Sequence, residues 1–360
     1  MTASRDFEIS ADMPAGTTIL EASAGTGKTW AIAALVARFV AEGTPLEELL
    51  VVTFGRAATQ ELRERVRERL SRSERYLQAL LDGREPEVEP DTLERTLSGE
   101  ASGAAYDRPE LQERHRRVRE ALGAFDDATI ATIHQFCHAV LRDLGTAGDT
   151  DPGTTLVEDL SDLLAEVVDD LYLARYARAD SAPFAYADAR AIAAAVVGDP
   201  AATIGPIDAD PRTVDAERVA FGTAVRSELA LRKRRLGVLS YDDLLRELAD
   251  ALESPDAPAR ARLRSRWSVV LVDEFQDTDP VQWDVFERAF HGHGRLILIG
   301  DPKQAIYAFR GGDINTYLRA RRVADRPRRR GRRGARRLCR LARHADRDAP
   351  QGDHRARRPA

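Results

Sequence analysis

The 360-residue sequence predicts an α/β chain: a parallel sheet flanked by helices, with an inserted all-helical subdomain and a disordered basic tail. Three observations predict this. Short continuous apolar runs, such as Ser268-Val269-Val270-Leu271-Val272 and Leu296-Ile297-Leu298-Ile299, have the length and composition of buried parallel strands. An alanine-rich helical stretch broken by prolines separates the early strands from the late ones. From about Arg326 the chain turns to arginine, alanine, aspartate and proline without apolar periodicity.

The first strand, Thr18-Ile19-Leu20, runs into Ala22-Ser23-Ala24-Gly25-Thr26-Gly27-Lys28-Thr29, and a helix opens at Trp30. This is the pattern of a phosphate-binding loop. Glycines permit the tight turn in which backbone N–H groups point at phosphate oxygens. Lys28 can reach the β- and γ-phosphates, the Thr29 hydroxyl can hold Mg²⁺, and the helix presents its positive end to the phosphates. Ala22 stands where such loops usually carry their first glycine. Ile32, Leu35, Val36, Phe39 and Val40 give the helix an apolar stripe to lay on a sheet. The bland alternative is a glycine-rich turn with a chance Lys-Thr; the flanking strand and helix argue against it.

The late strand 268–272 ends in Asp273-Glu274-Phe275-Gln276-Asp277. Ligands of open α/β sheets sit beyond the carboxyl ends of the strands, so these carboxylates fall where the phosphates are. Asp273 suits a Mg²⁺ ligand through water, and Glu274 suits the base that orients and deprotonates an attacking water. A solvated acidic turn is the rival, and the phosphate loop disfavours it. Gln304, after the strand 296–299, lies at the same edge.

Two stretches carry a family resemblance: Asp273 to Pro280, and Gly300-Asp301-Pro302-Lys303-Gln304-Ala305-Ile306-Tyr307-Ala308-Phe309-Arg310-Gly311-Gly312-Asp313. They resemble superfamily 1 DNA helicases of the UvrD/Rep type, and within them the RecB branch, the helicase–nuclease subunits of exodeoxyribonuclease V. Val51-Val52-Thr53-Phe54-Gly55-Arg56 and Thr132-Ile133-His134-Gln135-Phe136-Cys137 resemble the family's DNA-contacting motifs. The motifs keep the family's order from about residue 18 to 322.

The resemblance implies a RecA-like motor lobe that uses ATP and Mg²⁺, with Gln304 sensing the γ-phosphate. It also implies a path for single-stranded DNA along Thr53, Phe54, Arg56, Thr132, His134, Phe136, Tyr307, Phe309 and Arg310. Stacking of bases on Tyr307 and Phe309 would be worth ~1–3 kcal/mol each. Core packing remains the open alternative for Phe54, Phe136 and Phe309. Implied partners are DNA ends and RecC-like and RecD-like subunits, in double-strand-break processing. Arg56 departs from the family, which usually has an acidic or amide residue there. No glutamine-containing adenine motif is visible upstream of the phosphate loop. A catalytically inactive ATP- and single-stranded-DNA-binding module is the rival from another class.

The domain reading places the first motor lobe at 1–75, 116–145 and 261–325, a helical insertion at 76–115, the helical subdomain at 146–260 and the tail at 326–360. Ser240-Tyr241-Asp242-Asp243 resembles a capping box opening a helix with Leu244, Leu248 and Leu252 in register.

Net charge is −5. Residues 321–360 hold 16 arginines against 4 aspartates, a balance of +12, which leaves residues 1–320 at −17. An acidic body argues mildly against bulk nucleic-acid affinity, an objection that a local basic and aromatic track can meet. The tail reads as a frameshifted end in preference to a nucleic-acid-binding arm, and the family's second lobe and nuclease domain are expected to be absent. No stretch approaches a membrane span of ~20 apolar residues. Two cysteines, Cys137 and Cys339, exclude a disulfide framework and fit the cytoplasm. Cys137, His134 and His138 share a helical face, where packing is preferred over a metal site.

Overall fold

The computed structural model describes residues 5–22, 27–144, 155–157, 159–179, 181–198, 202–208, 210–304, 314–324 and 338–341. The chain divides into two compact units, Met1–Val140 with Ala249–Ala360, and Leu141–Leu248.

The first unit is built on a parallel sheet. Its strands are β1 (Arg5–Phe7), β2 (Thr17–Glu21), β3 (Leu49–Thr53), β4 (Thr129–Thr132), β7 (Val269–Val272), β8 (Arg295–Gly300) and β9 (Leu338–Leu341), counting in chain order. They lie in the order β1-β9-β2-β8-β7-β3-β4. Every pairing is parallel. Helices must cover both faces of such a sheet. Alternate strand residues Leu20, Val51, Leu271, Ile297 and Ile299 join one core with helix α1 (Lys28–Ala41), and their neighbours Ile19, Val52, Val270 and Leu298 are buried as well.

Helix α1 lays the expected stripe on the sheet: Ile32, Leu35, Val36, Phe39 and Val40 are all buried. Each is worth about 1.5–3 kcal/mol against exposure. Helix α2 (Arg56–Leu81) buries Leu62, Val66 and Leu70 as the spacing predicts, and runs unbroken past residue 75. Asp91 and Glu94 form a capping box at α3 (Thr92–Leu97), and Asp107 caps α4 (Arg108–Gly123). Leu77, Leu93, Leu97 and Val118 then enter the same core as α1. Residues 76–115 are therefore packed into the first unit.

The expectation of a disordered tail fails at Leu338–Leu341. These residues form β9 between β1 and β2, with Leu338 opposite Ile19 and Leu341 opposite Phe7. The reason is an open ladder: the backbone groups of β2 facing away from β8 need partners, and a short run with two leucines supplies them. Residues 325–337 and 342–360 lie outside the described residues.

The second unit is mainly helical, with α6 (Ser161–Tyr176), α7 (Tyr186–Gly198) and α8 (Val214–Leu236) around Val167, Val168, Ala189, Phe221 and Val225. A Cβ at Gly222 would lie 3.0 Å from Val196 Cγ1 and 3.2 Å from Ile192 Cγ2, so glycine sets the approach of α7 to α8. Tyr172 packs edge-on to Phe184 and Phe221. Two short strands, β5 (Thr155–Leu156) and β6 (Val238–Leu239), pair in parallel.

The capping box at Ser240 is present. The Ser240 N–H donates to Asp243 Oδ2 at 2.9 Å and the Asp243 N–H to Ser240 Oγ at 3.2 Å, opening α9 (Tyr241–Ala251). Helices α10 (Pro258–Arg266), α11 (Pro280–Phe290) and α12 (Ile314–Ala324) complete the first unit, and α5 (Ile133–Leu144) and α9 each run across a boundary between the units. Among the described residues no helix is long and apolar enough to cross a membrane.

Candidate functional site

The parallel strands bring their carboxyl ends to one edge. Glu21 ends β2 opposite Gly300 at the end of β8, and the Ala22 N–H donates to Gly300 O at 3.0 Å. Next along, the Asp273 N–H donates to Val52 O at 2.8 Å, holding the end of β7 to β3. Helix α1 begins here. Gly27 caps it with φ 81°, a left-handed conformation that favours glycine. Among the described residues no side chain caps this end, and no acidic residue sits in the first turn, which suits the helix N-terminus to an anion. Lys28 and Thr29 are its first two residues; the predicted loop residues Ser23, Ala24, Gly25 and Thr26 lie outside the described residues.

The acidic loop after β7 is held tightly. Glu274 has φ 49° and ψ 40°, the one non-glycine residue with positive φ among those described. Such a conformation costs of order 1–3 kcal/mol and persists only where surroundings enforce it. The next residue, Phe275, is anchored in the core, packed at 5.5 Å against Trp283 and 5.9 Å against Tyr317. Lys28 Nζ donates to Glu274 Oε2 at 2.6 Å, which joins the phosphate-loop lysine to the predicted base. The Glu274 side chain stays 33% exposed, so water can reach it.

Asp273 lies beside this pair. Thr53 Oγ1 donates to its Oδ2 at 3.3 Å, while its Oδ1 is buried with no hydrogen-bond partner among the described residues. Burial, followed by the adjacent Glu274 charge, pushes its carboxyl up to about 6 against the opposing pull of Lys28 and Thr53. A buried carboxylate with one orphaned oxygen is short of positive charge, and a divalent cation would supply it. Gln304 closes a turn of 3₁₀ helix, Pro302–Gln304, with its N–H donating to Asp301 O at 2.9 Å.

The residues expected along the DNA path separate. Phe136 is a correction: it is 1% exposed, stacked on Phe286 at 6.0 Å and packed against Trp267 at 5.5 Å, so its ring belongs to the core. Thr53 is buried and serves Asp273. Thr132 is buried too, and caps α5: its N–H donates to Gln135 Oε1 at 2.9 Å and its Oγ1 accepts from the Gln135 N–H at 3.2 Å. Both threonines have turned their hydroxyls to local partners, which removes them from a surface track. Phe54 and His134 are half-buried and Arg56 is exposed at the start of α2. Tyr307, Phe309 and Arg310 lie outside the described residues. Cys137 is fully buried, and burial pushes its thiol up, which makes it inert.

Sequence reasoning left two site residues without a role. Gln276 is 3% exposed and bonds to both Glu274 and Asp277. Tyr317, on α12, donates to Glu21 Oε1 at 3.3 Å immediately before the phosphate loop. A glutamine inside an acidic turn signals a buried amide; nothing local in the sequence signals Tyr317.

The profile of the UvrD/REP helicase N-terminal domain matches residues 5–325. The RecBCD enzyme subunit RecB of Mycolicibacterium smegmatis is 55% identical over 322 residues, covering 88% of this chain and 28% of that protein. The same subunit of Mycobacterium tuberculosis strain H37Rv is 50% identical over 323 residues, with 89% and 28% covered. That of Escherichia coli K12 is 51% identical over 100 residues, 27% of this chain and 8% of the relative. The chain thus spans about 28% of the length of the mycobacterial relatives it matches.

Proposed function

The chain belongs to the UvrD/REP helicase N-terminal domain family, and from that premise we propose that it is the ATP-handling lobe of a RecB-like DNA motor. The observation that carries this reading is the contact of Lys28 with Glu274 beside Asp273, one of whose oxygens has no partner among the described residues, at the edge where α1 begins.

The reaction is ATP hydrolysis. The triphosphate lies along the N-terminus of α1, and Lys28 leaves Glu274 for the β- and γ-phosphate oxygens. A water attacks the γ-phosphorus in line. Glu274 takes the proton of that water as the new P–O bond forms and the bond to the ADP oxygen breaks, releasing ADP and phosphate. Gln304 hydrogen-bonds the γ-phosphate. Thr29 and Asp273 would hold Mg²⁺, whose charge offsets that of the phosphate oxygens. The orphaned Asp273 oxygen fits this role.

Single-stranded DNA is the substrate track, taken by Phe54, Arg56 and His134 together with the segment carrying Tyr307, Phe309 and Arg310. The relatives are subunits of a RecBCD enzyme, which supports RecC-like and RecD-like partner subunits; action on DNA ends at double-strand breaks in the bacterial cytoplasm completes the proposed setting.

Phosphate release with and without single-stranded DNA tests the reading, with Glu274→Gln as the blank. In this family ATP lies between two lobes, and an arginine from the second is worth ~10³–10⁵ in rate. A polypeptide limited to this lobe should therefore turn over ATP slowly, at least about a thousandfold below a two-lobe motor. Nucleotide binding with no release above the blank would favour the inactive binding module. Robust DNA-stimulated turnover would show that one lobe suffices.

A further inference from the structure

The geometry points to Gln276 as the positioning residue that keeps Glu274 in place once Lys28 has gone to the nucleotide, an inference that rests on the ATP-hydrolysis reading above. In the structure Glu274 Oε2 accepts two hydrogen bonds, from Lys28 Nζ at 2.6 Å and from Gln276 Nε2 at 2.7 Å. Lys28 cannot serve the phosphates and Glu274 together, because its ammonium has to move toward the triphosphate. The amide of Gln276 carries no charge and has no reason to follow. It remains as the donor that orients the carboxylate toward water.

Gln276 is itself fixed from the other side. Its Oε1 accepts from the Asp301 N–H at 2.9 Å, and its Nε2 also reaches Asp277 Oδ2 at 3.2 Å. Asp301 Oδ1 in turn accepts from the Lys303 N–H at 3.0 Å, one residue before Gln304. One buried amide therefore ties the base on the β7 loop to the turn after β8 that carries the predicted γ-phosphate sensor. The space for it exists because β8 ends in glycine: a Cβ on Gly300 would run into Gln276 Oε1 and stand 3.1 Å from the backbone nitrogens of Phe275 and Gln276. The amide orientation follows from the network, since the opposite flip would face the amide oxygen to two carboxylates and the NH₂ to a backbone N–H.

Two variants separate positioning from folding. Gln276→Leu removes both halves of the amide. Gln276→Met keeps the length of the side chain, carries no N–H or O–H and so removes the donor to Glu274 without adding a charge beside Glu274 and Asp277. Three readouts on the full 360-residue chain are compared: affinity for fluorescent Mg·ADP, affinity for Mg·ADP with aluminium fluoride (a mimic of the in-line transition state), and single-turnover hydrolysis with protein in excess over labelled ATP. Both variants should bind Mg·ADP within about threefold of the parent, yet lose at least about tenfold in aluminium fluoride affinity and in hydrolysis, the size expected for a misplaced catalytic group. Parental values for Gln276→Met in those two readouts would overturn the proposal. If Gln276→Leu fails to fold, the unbranched Gln276→Met still decides. If the parent chain hydrolyses nothing above the Glu274→Gln blank, the aluminium fluoride arm decides without turnover. Failure of the parent chain to bind Mg·ADP at all would overturn the ATP reading, and this inference with it.

Discussion

The carboxyl ends of β7 and β8 and those of β3 and β4 lie along the same sheet edge, yet their polar side chains have opposite fates. At the ends of β7 and β8, Glu274, Gln276 and Asp301 bond to one another and to Lys28 at the start of α1, around a partly exposed carboxylate, with one Asp273 oxygen left unsatisfied among the described residues. After β3 and β4, Thr53 and Thr132 spend their hydroxyls on Asp273 and on the start of α5, and Phe136 is sealed in the core. Unspent polar capacity marks the first region as a place for a ligand. The second region supports its neighbour, and Phe54, Arg56 and His134 are the residues proposed to meet DNA there.

The largest effect that could break this comparison is at Phe136. Phe136→Ala should cost about 3–5 kcal/mol of stability by chemical denaturation, with no change in the DNA affinity of the folded fraction. A stable variant that loses DNA binding would return Phe136 to the track. Next is Gly300→Ala, expected to cost about 1–3 kcal/mol through overpacking against Gln276 and to slow single-turnover hydrolysis as the Gln276 variants do. Unchanged stability and rate would mean that the β8 terminus has room the contacts deny.

Asp273 gives an effect of the opposite sign. An acid whose folded pKa is raised above its unfolded value costs stability once it ionises, so the cost is absent below about pH 4 and complete above about pH 6. Asp273→Asn should therefore stabilise the nucleotide-free chain at pH 8 and lose that advantage by pH 4. The rise from 3.8 to about 6 converts to about 3 kcal/mol at most, and partial solvation of the loop lowers the expected gain to about 1–2 kcal/mol. Denaturation midpoints at the two pH values check it; destabilisation at pH 8 would contradict the burial of an uncompensated charge. The smallest effect is at Thr132. Thr132→Ala should cost about 1 kcal/mol as a lost cap and leave Mg·ATP affinity alone, and a fall in that affinity would show that the β4 end belongs to the site after all.

Strands, the α1 stripe and the acidic loop were legible because each is written in local periodicity or in a contiguous motif. Lys28, Asp273 and Glu274 could be paired from sequence because parallel strands must end at one edge. Phe136 could not be resolved, since a phenylalanine beside a polar motif has the same local signature whether it faces solvent or Trp267. Thr53 and Thr132 misled for a related reason: which partner a hydroxyl finds depends on register, and Thr53 sits opposite Thr132 while reaching the end of β7. The continuity of α2 through residue 75 and the entry of Leu338–Leu341 into the sheet likewise depend on contacts made far away in sequence.

The central claim, that Lys28 and Glu274 form a nucleotide site at this edge, is tested most directly by Mg·ATP binding to Lys28→Ala and Glu274→Gln side by side. In the free protein the two side chains hold each other at 2.6 Å, so nucleotide must break that pair before it can use the lysine. Lys28→Ala should weaken binding at least about a hundredfold, the loss of charge-assisted bonds to phosphate. Glu274→Gln should tighten it by about twofold to fivefold, because a partly exposed ion pair of up to ~1 kcal/mol no longer competes. Titration of a fluorescent ATP analogue measures both. Unchanged affinity in Lys28→Ala would contradict the account.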